Sequence, residues 1–316
     1  MIRIHSFPFP RLGLVAVALA LVLSACDSST SLSDDPEVAQ LAADEAAEVV
    51  ASALADTDGG LVASMEDMTA AISYSSMDDS RVVQVGRDRQ RDGDNRRHRA
   101  CRGDHELTYD ETSGTHTVAY DCSIQSLNFE KTLAATLNYQ FRTEASEFIP
   151  TPWENWDLVD SVAFDGEKSG SVKRTRGNAS MESSFEQNGS WALSGLAGDG
   201  AALLAGSQTR EGTRTRETAR GTSTKDFSVT MSSDNIQIRN SEDGLTRSVT
   251  GTLSYSAVVE IETPNRTETK TVEGTIELDG SGRALLRVFG LGKVYRISLH
   301  DGEQEGGETA GIQAAV

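Results

Sequence analysis

Three cysteines, two histidines flanking a turn signal and a run of arginines are the side chains here whose types and spacing could do chemistry. Cys101, His105, His116 and Cys122 lie in one short segment and have the donor types of a zinc site. The flanks of Asp110-Glu111-Thr112-Ser113-Gly114 alternate apolar and polar, so the four donors belong to two extended strands joined by a turn. His105 is then about 13 Å from Cys101 at ~3.3 Å per residue, whereas zinc holds its ligands within about 2.3 Å. One ion cannot gather all four, and no metal is assigned. His105-Glu106-Leu107-Thr108-Tyr109 opens like a metalloprotease helix but has Tyr where the second His is required. Asp88-x-Gln90-x-Asp92-Gly93 opens like a calcium loop, but Arg99 stands where the bidentate Glu belongs. There is no Gly-x-Ser-x-Gly elbow, no phosphate loop and no dinucleotide fingerprint, so no catalytic residue and no cofactor is assigned.

Arg210, Arg214, Arg216 and Arg220 alternate with Thr209, Glu211, Thr213, Thr215 and Glu217, giving a strand that is polar on both faces. Such a strand is expected at a sheet edge or as an exposed ribbon, charged against aggregation, with an anion-binding stripe as the functional alternative. The loop Glu147–Trp156 carries Pro150, Pro152, Trp153 and Trp156, and its tryptophans either staple it to the body or mark a contact.

At the start of the chain, Arg3 and Arg11 flank the beginning of an apolar run from Leu12 to Leu23. That run is shorter than the ~20 residues needed to span a bilayer but suits the core of an export signal. Leu23-Ser24-Ala25-Cys26 closes it. These residues resemble the lipobox of bacterial lipoproteins, which implies that residues 1–25 are a signal peptide, that Cys26 is diacylated, and that the protein is anchored to a membrane of the cell envelope by its N-terminal lipid. Two or more acyl chains, at about 0.8 kcal/mol per buried CH₂, hold stably where one does not.

Export places the two remaining cysteines where disulfides persist, so Cys101 and Cys122 are expected to pair. If they lie directly opposite, paired residue numbers sum to 223. Cys101, His105, Leu107, Tyr109, His116, Val118, Tyr120 and Cys122 then share one face, and Arg102, Asp104, Glu106, Thr108, Thr115, Thr117 and Asp121 the other. Opposed strand positions about 4.5 Å apart between Cα atoms can be bridged, and closing such a loop contributes about 3 kcal/mol on the chain-entropy argument.

The elements that position these residues follow from periodicity. Residues 26–35, rich in Ser, Thr and Asp, form a flexible tether. Asp35-Pro36-Glu37 is a helix start, and Val38, Leu41, Val49, Ala53 and Leu54 recur at helical spacing until Asp58-Gly59-Gly60. Leu61, Met65, Met68 and Ile72 mark a second helix, giving a helical prefix over 36–78. From 79 to 300 the period is two. Leu133, Ala135, Leu137, Tyr139 and Phe141 form one half-buried strand, and Val249 to Ile261 another. Turns are expected at Asp165-Gly166, Asn188-Gly189, Pro264-Asn265, Asp279-Gly280 and Gly290-Leu291-Gly292. The last four runs, near 248–262, 267–278, 283–289 and 293–300, are joined so tightly that they must be antiparallel neighbours. The fold class is therefore mainly β: a large antiparallel meander sheet, open, curved or half-barrel, with a short N-terminal helix pair and a disordered tail at 301–316.

The formal net charge is −19, and residues 1–25 hold two arginines and no acid, so the chain from Cys26 onward is two units more negative. This argues against nucleic acid and anionic headgroups as partners, because both need a basic surface. Three functions fit: a non-enzymatic envelope protein that binds an unknown protein or serves a structural role, a carrier of an apolar ligand in a half-barrel cavity, or a hydrolase without a recognisable motif. The second rests on a similarity of element order to lipoprotein-carrier folds of the envelope. An apolar cavity would favour it; a cleft gathering His with carboxylates would favour the third.

Overall fold

The computed structural model describes residues 35–73, 105–152, 154–198, 200–219, 221–239, 248–263 and 266–309. The first helix, α1 (Pro36–Leu54), begins where the side chain of Asp35 accepts a hydrogen bond from the Glu37 amide at 3.0 Å, with Pro36 in the first turn. It ends at Ala55, and α2 (Leu61–Ser73) follows the Asp56–Gly60 turn. Helix α1 is buried almost all round, its inward residues being mostly alanine, from Ala39 through Ala53. Small side chains let its backbone approach the sheet closely, and a helix buried on all sides belongs inside a core.

Twelve strands follow: β1 (His105–Asp110), β2 (Thr115–Gln125), β3 (Phe129–Arg142), β4 (Ser161–Arg176), β5 (Ala179–Ser194), β6 (Ala202–Thr218), β7 (Gly221–Ile238), β8 (Val249–Thr263), β9 (Arg266–Asp279), β10 (Arg283–Val288), β11 (Lys293–Ser298) and β12 (Gln304–Thr309). They form one antiparallel sheet in sequential order, a meander, and β1 and β12 are not paired with each other. One face is largely apolar: Leu133 to Phe141 on β3, Phe227 to Met231 on β7, Leu253 to Ile261 on β8 and Tyr295 with Ile297 on β11 are buried at every second position, while Lys168, Gln187, Gln208 and Arg210 are buried polar groups on the same face. This inner face receives the helices.

The sheet curls around them. Seven strand steps separate β4 from β11, about 34 Å if the sheet were flat. Yet the α1–α2 turn reaches both: the Asp56 and Thr57 amides donate to the Leu299 and His300 carbonyls, while Arg174 of β4 donates to Asp58. Arg176 at the end of β4 also pairs with Glu303 in the β11–β12 turn. Twist alone does not produce so tight a coil, and the glycines of β4 to β6 show what does. Gly166 lies opposite Gly189, Phe185 lies between Gly170 and Gly212, and Trp191 lies opposite Gly206, all on the inner face. A Cβ at Gly212 would stand 2.0 Å from the Ser184 carbonyl oxygen, and one at Gly206 would stand 2.2 Å from that of Ser190. Neighbouring backbones thus approach where a side chain would hold them apart, and the large rings occupy the space over the glycines.

Several expectations are corrected by this architecture. Asp165-Gly166 and Asn188-Gly189 are not turns but mid-strand positions of β4 and β5, paired with each other's strand, because their glycines serve curvature. The segment after Asp301 is not wholly without structure: Gly302, at φ 69°, folds the chain back and β12 adds to the edge of β11, whose backbone groups would otherwise be unpaired. The turns at Asp279-Gly280 and Gly290-Leu291-Gly292, the Glu147–Trp156 loop and the four antiparallel neighbours β8 to β11 stand as expected. Pro264-Asn265 lies outside the described residues.

If close backbone approach at Gly212 sets the curl, Gly212→Ala should destabilise by about 1–3 kcal/mol through overpacking. Gly200→Ala, where an added Cβ meets nothing within 4 Å, should change stability by less than about 0.5 kcal/mol. Urea midpoints of the two variants check this.

Candidate functional site

The arginine run is the first surprise. It lies on β6, in the interior of the sheet with β5 and β7 bonded along its two sides, not at an edge or on an exposed ribbon. The reason is that its charges have partners above them. The described part of the helical segment, residues 35–73, carries acids and no Lys or Arg. Arg214 pairs with Glu45, at 3.1 Å, and with Glu48; Arg216 pairs with Glu48 at 3.1 Å; Lys225 of β7 pairs with Glu45 at 2.7 Å. Lys293 and the Tyr295 hydroxyl of β11 both donate to Asp44, at 2.6 and 2.7 Å. A polar strand can therefore cross the inner face because an acidic helix covers it. Arg220 lies outside the described residues.

Deeper in, under the α1–α2 turn, four cations converge. Lys131 of β3 donates to the Thr57 carbonyl at 2.8 Å. Lys168 of β4 donates to Ser64 at 3.0 Å and pairs with Asp67 at 2.8 Å, both side chains almost fully buried. Arg174 pairs with Asp58 at 2.6 Å. Arg210, 0% exposed, donates from Nη1 to the Asp58 carbonyl at 3.1 Å and lies 3.6 Å over the Phe185 ring. Gln208 adds a bond to the Ala53 carbonyl at 3.2 Å. The carbonyls at the C-terminal end of α1 and in the turn after it are the natural acceptors for these donors. Burial pushes the Arg210 guanidinium down to about 10, against a smaller opposing pull from Asp58. Burial lowers Lys131 too, the Asp56 and Asp58 charges offsetting part of the effect. Burial and the charge of Asp67 raise the Tyr120 hydroxyl far above its ordinary value.

Elsewhere the anticipated groups take other roles. On the β1–β2 hairpin the register sum is 225, Leu107 facing Val118 and Tyr109 facing His116, so the expected sum of 223 is wrong by two. The turn accounts for the shift: it has four residues, with the Asp110 carboxylate accepting from the Thr112 amide and the Ser113 hydroxyl, and Gly114 at φ 66° donating back to the Asp110 carbonyl. A shift of two preserves the faces, and Cys122 is buried on the inner one beside Leu133. Cys26 and Cys101 lie outside the described residues, as does the Asp88–Arg99 stretch. His116 lies within hydrogen-bond distance of the Ile149 carbonyl through Nε2, at 3.2 Å, with its ring tilted against Tyr109 and edge-on to Phe141. Burial lowers its pKa, the Ile149 contact opposing in part, and its place is structural. Met65 and Met68 are core residues. Trp153 lies outside the described residues; Trp156 is 58% exposed, and Ile149 and Val159 are buried at the two sides of it. Among the described residues no three His, Cys, Asp or Glu side chains converge as metal ligands. On the outer face a hollow of about 850 Å³ is lined by Glu106, Asp121, Glu167 and Glu186 with Ala134 and Thr136. Ala119, Tyr120, Ala135 and Lys168 also line it, so its walls mix carboxylates with apolar groups.

No family model, curated protein or solved structure matches this chain.

Two outcomes are expected. Asp67→Ala leaves Lys168 charged and buried without its carboxylate, which should cost about 3–5 kcal/mol; the double variant Asp67→Leu with Lys168→Met should recover most of it. Thermal and urea unfolding check both. Asp44 feels burial, which raises its pKa, but hydrogen bonds from Lys293, Tyr295 and Gln40 outweigh it and hold it below the ordinary 3.8. A depressed carboxylate stabilises above its unfolded pKa and loses that contribution as pH falls through the folded value. Stability should therefore fall below about pH 4, and Asp44→Asn should flatten that part of the curve in pH-dependent denaturation.

Proposed function

We propose that this is a lipid-anchored protein of the bacterial cell envelope with a non-enzymatic binding or structural role. The observation that carries it is Leu23-Ser24-Ala25-Cys26 after an Arg-flanked apolar run. Two structural features support the reading. Helix α1 begins at Pro36, so nine residues separate Cys26 from the folded body, at most about 30 Å of extended chain. No helix among the described residues is long and apolar enough to cross a membrane. The inner face of the sheet is occupied by α1 and α2, so the surface offered to a partner is the outer face and the loops, where Trp156, Leu158 and Phe148 are exposed. In the oxidising compartment that such an anchor implies, Cys101 and Cys122 are proposed to form the disulfide, Cys101 preceding the paired segment His105–Asp110.

Cys26→Ser should move the protein from the membrane fraction to the soluble fraction of expressing cells. Intact mass of the detergent-extracted wild type should show acyl chains on Cys26 and, before reduction, no free thiol. A variant that still partitions into detergent would overturn the anchor; two alkylatable thiols in unfolded, unreduced protein would overturn the disulfide.

A further inference from the structure

Under the α1–α2 turn four cations meet three carboxylates, Asp56, Asp58 and Asp67, and Asp56 also lies 3.5 Å from His300. Of the four cations there, Arg174 has Asp58 and Lys168 has Asp67. Lys131 and Arg210 are bonded only to neutral oxygens, the Thr57 carbonyl for the first and the Asp58 carbonyl and Gln187 amide, at 3.4 Å, for the second. Arg210 is fully buried, and its Nε and Nη2 have no hydrogen-bond partner. Those two nitrogens form one edge of the guanidinium, the edge that grips two oxygens of a carboxylate, sulfate or phosphate side by side. Burying that edge unpaired is costly, and an anion would offset the cost.

What faces this cluster has the form of an anion site. The turn Asp56-Thr57-Asp58-Gly59-Gly60 runs directly into α2, a helix of 13 residues. Gly60 occupies the capping position, its carbonyl accepting from the Ser64 amide at 3.1 Å, and it has no side chain to satisfy the amides of Leu61, Val62 and Ala63. The first amides of a helix have no acceptor within the helix, and the positive end of its dipole favours an oxyanion. Gly59, at φ 73°, adopts a conformation that glycine tolerates, and the place of its missing Cβ is 4.0 Å from the Lys131 ammonium and 3.8 Å from the Phe185 ring that supports Arg210. Lys168 holds the first turn of α2 through Ser64.

We propose that the Asp56–Gly60 turn and the first turn of α2, with Arg210, Lys131 and Lys168, form an internal binding site for one small oxyanion of the phosphate or sulfate class. The Arg210 edge takes two oxygens, Lys131 contributes charge, and the α2 amides take the remainder. Because Arg210 is out of reach of solvent, the ligand is a free ion and not the headgroup of a lipid. The site does not depend on the proposed anchor.

Equilibrium dialysis of the full chain against inorganic phosphate, with ionic strength held constant by sodium chloride, tests it. One phosphate per chain is expected, displaced by sulfate. Arg210→Lys, which keeps the charge but loses the two-pronged edge, should bind at least tenfold more weakly, and Arg210→Met more weakly still. Thermal melts should rise with phosphate for the wild type and not for the variants, which separates binding from the general salting effect of such ions. No bound phosphate in the wild type, undiminished binding by Arg210→Lys, or retention of water-soluble dihexanoyl phosphatidic acid in place of phosphate would each overturn the proposal. The wild-type measurement decides even if a variant fails to fold.

Discussion

Four cations must be covered, Lys168 and Arg210 wholly and Lys131 and Arg174 in part, before α1 and α2 can close on the sheet, and the rest of the structure is arranged around that requirement. Taking an ion out of water costs several kcal/mol after relaxation, repaid only where hydrogen bonds and opposite charge are well placed. The carbonyls at the end of α1 and in the turn that follows, with Asp58 and Asp67, supply that compensation at the centre of the inner face. Glu45, Glu48 and Asp44 supply it nearer the rim. The apolar contacts of the alanine-rich helix provide most of the burial, but they are non-directional. The charged contacts fix where along the sheet the helices sit.

That division explains the composition. An acidic helical segment without a base would repel itself and its surroundings if it stood alone; on the inner face it meets Lys131, Lys168, Arg174, Arg210, Arg214, Arg216, Lys225 and Lys293. These bases are turned toward the helices, where Asp44, Glu45, Glu48, Asp58 and Asp67 meet them.

Periodicity made much of the fold legible. The change from a helical to a two-residue period, the Asp35-Pro36 start and the tight links between the last strands are local properties, and they carried through to the structure. Where local reasoning failed, a contact distant in sequence had overridden it. Arg210 looked like an edge residue because nothing within β6 is apolar near it; its partners are Asp58 and Gln187, and the former lies 152 residues away. Asn188-Gly189 looked like a turn because the glycine that permits curvature is the same residue that permits a reversal. A signal for the internal site was nonetheless present: Lys168 falls in phase with Val162, Phe164 and Val172, and Lys131 in phase with Leu133. A base in register with the apolar set is either mispaired or partnered, and in a folded chain it is partnered. The hairpin register depended on turn geometry, which the alternating pattern leaves open to a slip of two because such a slip keeps every side chain on its face.

The meander order also sets an order of assembly. Each strand pairs with its neighbour in sequence, so the sheet can grow one hairpin at a time with short loops to close. The helices cannot follow that course: Asp44 meets Lys293 across 249 residues and Glu45 meets Lys225 across 180. Contacts of such span are slow to form because loop closure must precede them. The segment synthesised first is thus the segment seated last, and until β11 exists the apolar face of the growing sheet has no complete cover. A chain with this topology spends its folding time as an open trough, the state in which aggregation competes and in which a chaperone would have something to hold.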